Sequence, residues 1–289
     1  MHYHQLAVSG ERHLTVSRDS TTYDLTSADP DLRTFGDLAR VASIARTSID
    51  RLAAELTEDA DVVDDAFVDR HATVPVDAEE VWAAGVTYQI SEQAREEESS
   101  MPDMYFDVYD ADRPEIFFKA TPSRTVEPGD AIGVRDDSEW DVPEPELGIV
   151  LRRGEIVGYT VGNDVSSRSI EGENPLYLPQ AKVYDRCCSI GPCVVTPDDV
   201  DDPHELEMSM TIERDGEVVY DDATNTSEMV RSCEELVSYF TRHNTVPELA
   251  VILTGTSLVP DHPFDLQAGD RVDITVEGIG TLSNSVTTV

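Results

Sequence analysis

Lysine is almost missing from this 289-residue chain. Of its 21 basic residues only Lys119 and Lys182 are lysine, the other 19 are arginine, and they face 59 acidic residues for a net charge of −38. So little positive charge excludes a nucleic-acid backbone or an anionic membrane surface as partner, since both would be repelled at ordinary ionic strength. Long apolar runs are missing too. Nowhere do 18 apolar residues follow one another, and the N-terminal MHYHQLAVSGERH has neither a basic nor an apolar targeting region. A soluble, cytoplasmic protein without a visible export signal is expected. Cysteine is scarce: Cys187, Cys188, Cys193 and Cys233 contain no C-x-x-C pair, and three of them crowd together. Reduced, partly buried thiols are expected rather than a disulfide framework.

The acidity does not make the chain disordered, because 39% of its residues are hydrophobic and they are spread from end to end. Acids scattered over the whole sequence read instead as salt adaptation. In molar salt the Debye length falls to about 3 Å, which screens the self-repulsion while hydrated carboxylates keep the protein soluble. A halophilic, cytoplasmic origin is the expectation.

The fold expected is mixed α+β. Residues 5–8 and 13–17 alternate apolar and polar positions around Ser9-Gly10, which suggests a hairpin. From residue 31 to about 56, Leu32, Phe35, Leu38, Ala39, Ala42, Ile49, Leu52 and Ala53 recur at three- and four-residue spacing, which predicts one or two amphipathic helices. The acidic stretch 58–65 reads as a loop. A boundary is placed near residue 75, giving a small N-terminal α+β domain (1–75) and a β-rich catalytic domain with few helices (76–289). In the latter, strands are predicted at 81–84, 115–119, 146–151, 155–163, 193–196, 207–213, 250–254 and 271–276. The polar, acidic and aromatic segment at about 91–113 reads as a lid or a solvated surface loop.

In Pro143-Glu144-Pro145-Glu146 two carboxylates sit at i and i+2, so extended backbone sends both to one face. Eighteen residues after Glu146 comes Asp164, at the end of an apolar run where an unpaired carboxylate would be costly. Three converging acids suit a hard cation. Oxygen-only ligands favour Mg²⁺ or Mn²⁺, with Ca²⁺ also possible, over Zn²⁺. Lys182 stands out because a chain that uses arginine nearly everywhere keeps an ammonium there, a compact charge able to lose its proton when desolvated. Lys119 invites the same argument.

Several segments, taken in order, are similar to signatures of the fumarylacetoacetate hydrolase superfamily. They are Gly85-Val86-Thr87-Tyr88, Phe118-Lys119, Glu144-x-Glu146-Leu147, the stretch from Gly158 through Asn163-Asp164 to Arg168, Lys182 with Gly191-Pro192, the Thr254-Gly255-Thr256 segment, and the ending from Leu266 to Asn284. The resemblance covers roughly residues 80–287. It implies a fumarylacetoacetate hydrolase-type catalytic fold, a metal on Glu144, Glu146 and Asp164, a site lysine at Lys182, a substrate-binding threonine at Thr256, and a homodimer or homotetramer. One departure matters. Family hydrolases place a His and a Glu that activate water after the Gly-x-Asn-Tyr segment, where this chain has Ser91 and Ala94. Without that dyad the base for attack by water is missing, and carbon–carbon hydrolysis is disfavoured. The pattern, with Ser91 and Arg95 as further substrate contacts, resembles the branch of the family that dehydrates 2-keto-3-deoxy sugar acids. What this implies is conversion of a 2-keto-3-deoxy-D-pentonate to 2,5-dioxopentanoate in oxidative pentose breakdown. The alternative is a C–C hydrolase, decarboxylase or isomerase of a 2-oxo acid on the same scaffold. Arg168 is expected to pair with a nearby acid, and Tyr88, Trp82 and Trp140 to serve in packing.

Overall fold

The hairpin at the start of the chain forms as β1 (His2–Val8) and β2 (Glu11–Arg18). Ser9 and Gly10 both take positive φ in the two-residue turn, which matches the right-handed twist of the strands. The computed structural model describes residues 1–88, 108–109 and 111–289. After β3 (Thr21–Asp24) the helical periodicity resolves into two helices, α1 (Phe35–Ala45) and α2 (Ile49–Leu56), preceded by a four-residue helical turn. The Thr34 and Ser48 side chains cap them by accepting the N–H groups of Asp37 and Arg51. The acidic 58–65 stretch is not wholly loop, because Asp61–Val63 forms a short strand, β4, on the edge beside β3. Three residues are too few for alternation to register.

Among the described residues eleven strands build the main sheet. Its order is β4-β3-β2-β1-β13-β11-β10-β16-β5-β6, with β7 beside β13. Here β5 is Glu80–Gly85, β6 Glu115–Ala120, β7 Thr125–Val126, β10 Pro145–Arg152, β11 Glu155–Asp164, β13 Cys188–Val195 and β16 Leu249–Leu253. A second sheet runs β15-β14-β17-β18-β8, from β8 (Ala131–Val134), β14 (Glu207–Arg214), β15 (Glu217–Asn225), β17 (Arg271–Val276) and β18 (Gly280–Thr288). Two short strands, β9 (Asp141–Val142) and β12 (Ser166–Ser167), pair beside the site.

The main sheet is covered on both faces. Leu147, Ile149, Leu151 and Val161 pack in one core with Met208, Met210, Val272, Ile274 and Leu282 of the second sheet. Val150, Ile190, Val251 and Leu253 lie in another core with Leu14, Leu25, Phe35 and Leu38 from the first half-hundred residues. Each such apolar side chain contributes about 1.5–3 kcal/mol by burial, so the central strands are held from both sides. Strands from either side of residue 75 share this sheet through the pairing of β1 with β13. Further helices among the described residues include α3 (Asp65–His71), α4 (Arg168–Glu173), α5 (Leu178–Lys182) and α6 (Cys233–Thr241). Among the described residues no helix is long and apolar enough to cross a membrane. All four cysteines are free and buried.

Candidate functional site

The site begins with a register. In the antiparallel β10–β11 ladder Pro145 faces Asn163 and Glu146 faces Gly162. One step beyond the strand end, Glu144 therefore comes level with Asp164, and its carbonyl accepts the Asp164 N–H at 2.9 Å. Alternation puts Glu146 on the same side as Glu144. One oxygen from each of Glu144, Glu146 and Asp164 lies within 4.8 Å of the others, and all three residues are buried. The i, i+2 spacing and the distant aspartate expected from sequence are thus brought together.

Cations surround this cluster. The Lys182 ammonium donates to Glu144 Oε2 at 2.8 Å, Asp164 Oδ2 at 3.3 Å and Ser166 Oγ at 2.6 Å. An Arg168 guanidinium nitrogen lies 3.2 Å from Glu144 Oε1. The pairing expected for Arg168 exists, and its acid is a member of the triad. Lys119 reaches Asp164 Oδ1 at 2.5 Å from the opposite side. Glu146 has a different partner, the Gly255 N–H, which donates to its Oε2 at 2.6 Å. Gly255 holds φ +83°, and a Cβ there would stand 2.0 Å from Thr87 Oγ1 and 2.8 Å from the Ala84 carbonyl, so only glycine fits.

These partners split the acids. Burial pushes Glu144 up, but Lys182 and Arg168 outweigh it and hold its pKa down at about 2. Burial, then the charges of Asp164 and Glu144, push Glu146 well above the usual carboxylate range. Burial lowers Lys182, yet Asp164 and Glu144 outweigh it and keep the ammonium protonated above its ordinary range. Lys182, Arg168 and Lys119 pair with Glu144 and Asp164, whereas Glu146 meets a backbone N–H, so Glu146 is the carboxylate that is unfavourable as an anion unless further positive charge is present. An all-oxygen donor set of this kind fits a hard divalent cation.

A cavity of about 40 Å³ is lined by Glu144, Asp164 and Lys182, and also by Val86, Glu115, Phe117, Glu171, Leu178 and Thr256. Beside it a pocket of about 280 Å³ shares Val86, Glu115, Glu171 and Leu178 and adds Val108, Arg113 and Pro175. Val86 takes φ +54°, a rare conformation for a β-branched residue, at the rim of both. Thr256 lines the cavity, and its Oγ1 accepts the Leu258 N–H at 3.0 Å. Ser91 and Arg95 lie outside the described residues, as does most of the 91–113 segment. Trp82 packs edge-on to Phe118 and Trp140 against His262, while Tyr88 is buried. Sequence reading had not singled out Ser166, Glu115 or Glu171. Ser166 lay inside the matched Asp164–Arg168 stretch, and Glu171 follows Arg168 at i+3 on one helix face. Glu115, at the start of an edge strand, carried no such signal.

Comparisons with known proteins bear on this geometry. The sequence pattern of the fumarylacetoacetate (FAA) hydrolase C-terminal region matches residues 80–287. Over all 289 residues, and all of both chains, the sequence is 94% identical to a Haloferax volcanii protein described as a "Probable 2-keto-3-deoxyxylonate dehydratase". It is 46% identical over 223 residues, 75% of each chain, to the 2-dehydro-3-deoxy-D-arabinonate dehydratase of Saccharolobus solfataricus. A solved 2-keto-3-deoxy-D-arabinonate dehydratase complexed with magnesium and 2,5-dioxopentanoate matches the fold with a TM-score of 0.85 at 36% identity, covering 100% of this chain and 99% of that one.

Proposed function

Because this chain belongs to the fumarylacetoacetate hydrolase family, we propose that it is a magnesium-dependent hydro-lyase converting a 2-keto-3-deoxy-D-pentonate to 2,5-dioxopentanoate. The observation that carries the reading is the meeting of Glu144, Glu146 and Asp164, with Glu144, Asp164 and Lys182 lining a small polar cavity. Relatives of 94% and 46% identity named for the same dehydration, and a like fold described with magnesium and the product, support it. Arabinonate and xylonate give one and the same 2-keto-3-deoxy acid, since the stereocentres that distinguish them are lost.

Glu144, Glu146 and Asp164 would hold the cation. When bound, it supplies Lewis-acid polarisation of the 2-oxo group, which makes the C3 protons acidic. Lys182 already spends its donors on Glu144, Asp164 and Ser166. Its role is therefore a fixed positive charge beside the developing enolate oxygen, from which it can also hand on a proton. Thr256 binds the substrate carboxylate, with Ser91 and Arg95 as further contacts. Loss of the C3 proton and the C4 hydroxyl expels water and leaves a 3,4-alkene. A proton moved from C5 to C3 and ketonisation of the resulting enol give the aldehyde. Glu115 and Glu171 are the further cavity carboxylates from which an acid for the departing C4 hydroxyl can be drawn.

A product assay separates the readings. With Mg²⁺, 2-keto-3-deoxy-D-xylonate should yield 2,5-dioxopentanoate and an acylpyruvate should not yield pyruvate; the reverse result would establish the hydrolase alternative. The same reading places the enzyme in a cytoplasm of high ionic strength and in a homodimer or homotetramer, the latter measurable by light scattering in molar KCl.

A further inference from the structure

The two lysines of this chain meet on a single carboxylate. Asp164 Oδ2 faces Lys182 Nζ at 3.3 Å, and Asp164 Oδ1 faces Lys119 Nζ at 2.5 Å. Lys119 is fully buried, and its ammonium also donates to the Val165 carbonyl at 2.8 Å and the Lys182 carbonyl at 2.5 Å. Two carbonyls thus take two of its N–H groups, while Asp164 Oδ1 stands beside the ammonium as an ion pair rather than a hydrogen bond. The Lys182 carbonyl belongs to the last residue of α5, one of the helix-end carbonyls that have no partner within their own helix. One nitrogen on β6 therefore ties the end of β11, which bears Asp164, to the end of α5, which bears Lys182.

We propose that Lys119 is a positioning residue. It fixes the rotation of the Asp164 carboxylate and the backbone of Lys182 against each other, so that the acid offered to the cation and the ammonium beside it keep one spacing. This rests on the dehydratase reading of the site. Removing Lys119 alone leaves Asp164 with one cation fewer and two carbonyls without their donor, so some stability is lost as well, and the positioning role is read from metal affinity and kcat rather than from melting. Arginine, this chain's usual cation, would not serve, since its planar fork spreads its N–H groups and cannot bring one nitrogen to two carbonyls and a carboxylate at once.

The test uses full-length Lys119→Met and Lys119→Arg in high KCl, with Mn²⁺ as the probe. Titration of Mn²⁺ by calorimetry should show affinity reduced roughly 10–100-fold in Lys119→Met, as for partners that orient metal ligands elsewhere. At saturating Mn²⁺, kcat should stay depressed by a similar factor while KM moves less, and Lys119→Arg should not restore it. Should Lys119→Met fail to fold, Lys119→Arg decides by the same measures. A folded variant of either kind that binds Mn²⁺ within about two-fold of wild type and keeps its kcat would overturn the proposal, even if it melted earlier. If the wild-type protein does not dehydrate the sugar acid, the functional reading fails, and the Mn²⁺ titration still decides the role of Lys119.

Discussion

Glu146 carries the cost of the site at the scale of single residues. Its folded pKa is raised above its unfolded value by burial and then by Asp164 and Glu144. In the metal-free protein the stability tied to its neutral form is fully present below an unfolded pKa of about 4.3, and it is lost as pH rises through the raised folded value. Glu146→Gln keeps the neutral shape at every pH. Metal-free Glu146→Gln should therefore melt above wild type at pH 8, at roughly 2–4 °C per kcal/mol recovered, while Mn²⁺ binding and turnover disappear. An unchanged or lower melting temperature, measured without metal, would contradict this balance of charges. Glu144 has the opposite sign: held at about 2 by Lys182 and Arg168 against its burial, its contribution is present above the unfolded pKa and lost as pH falls toward 2. Lys182→Ala removes the ammonium shared by Glu144, Asp164 and Ser166, and kcat should fall by about 10²–10⁴, the span ascribed to a proton-transferring side chain. Wild-type turnover in that variant would remove Lys182 from the mechanism. Glu144 and Glu146 were legible because alternation sends both to one face of an extended segment, and Asp164 because an acid at the end of an apolar run needs a partner. The partnership of Lys119 was not, since two of its acceptors are backbone carbonyls whose nearness depends on how β6, β11 and α5 pack.

At the scale of elements, the strands predicted from apolar alternation and β-branched runs are those with at least one buried face. The 115–119, 146–151, 155–163, 207–213 and 271–276 readings each fall within a strand of the structure. β15 escaped because it is an edge strand with most of its residues exposed, so no hydrophobic face marks it. The short helices α4 and α5 escaped because six and five residues cannot show a 3.6-residue period. Yet α4 and α5 deliver Arg168, Glu171, Leu178 and Lys182, so the least legible elements supply four of the thirteen residues that line the cavity. The loop after β16 shows how strictly the backbone is shaped: Gly255 must be left-handed for its N–H to meet Glu146. Gly255→Ala should cost about 1–3 kcal/mol from backbone strain alone, with more from the contact with Thr87, and should weaken Mn²⁺ binding. Urea unfolding of the variant matching wild type would show that the loop can relax and that the glycine is not required.

For the whole molecule, 59 acidic residues against 21 basic ones decide the response to salt. Exposed pairs such as Arg12–Asp77 and Arg51–Glu55 exist, but each is worth only about 0–1 kcal/mol and weakens as salt rises. With so many more acids than bases most surface carboxylates repel other carboxylates, so screening removes more repulsion than attraction. The Debye length shortens from about 10 Å at 0.1 M to about 3 Å at 1 M, and most of the change should therefore come below molar salt. The Lys119–Asp164 pair, with 0% and 1% of its side chains exposed, is screened far less than these surface pairs. Thermal unfolding should accordingly shift upward as KCl is raised from ~0.1 M to ~3 M, steeply at first. Mn²⁺ affinity per folded molecule should change less, since the charges that bind the ion are buried. A melting temperature indifferent to KCl would mean that the acidic surface is not what limits stability. A Mn²⁺ affinity that collapsed in step with surface screening would mean that long-range attraction, rather than the three buried carboxylates, supplies the binding.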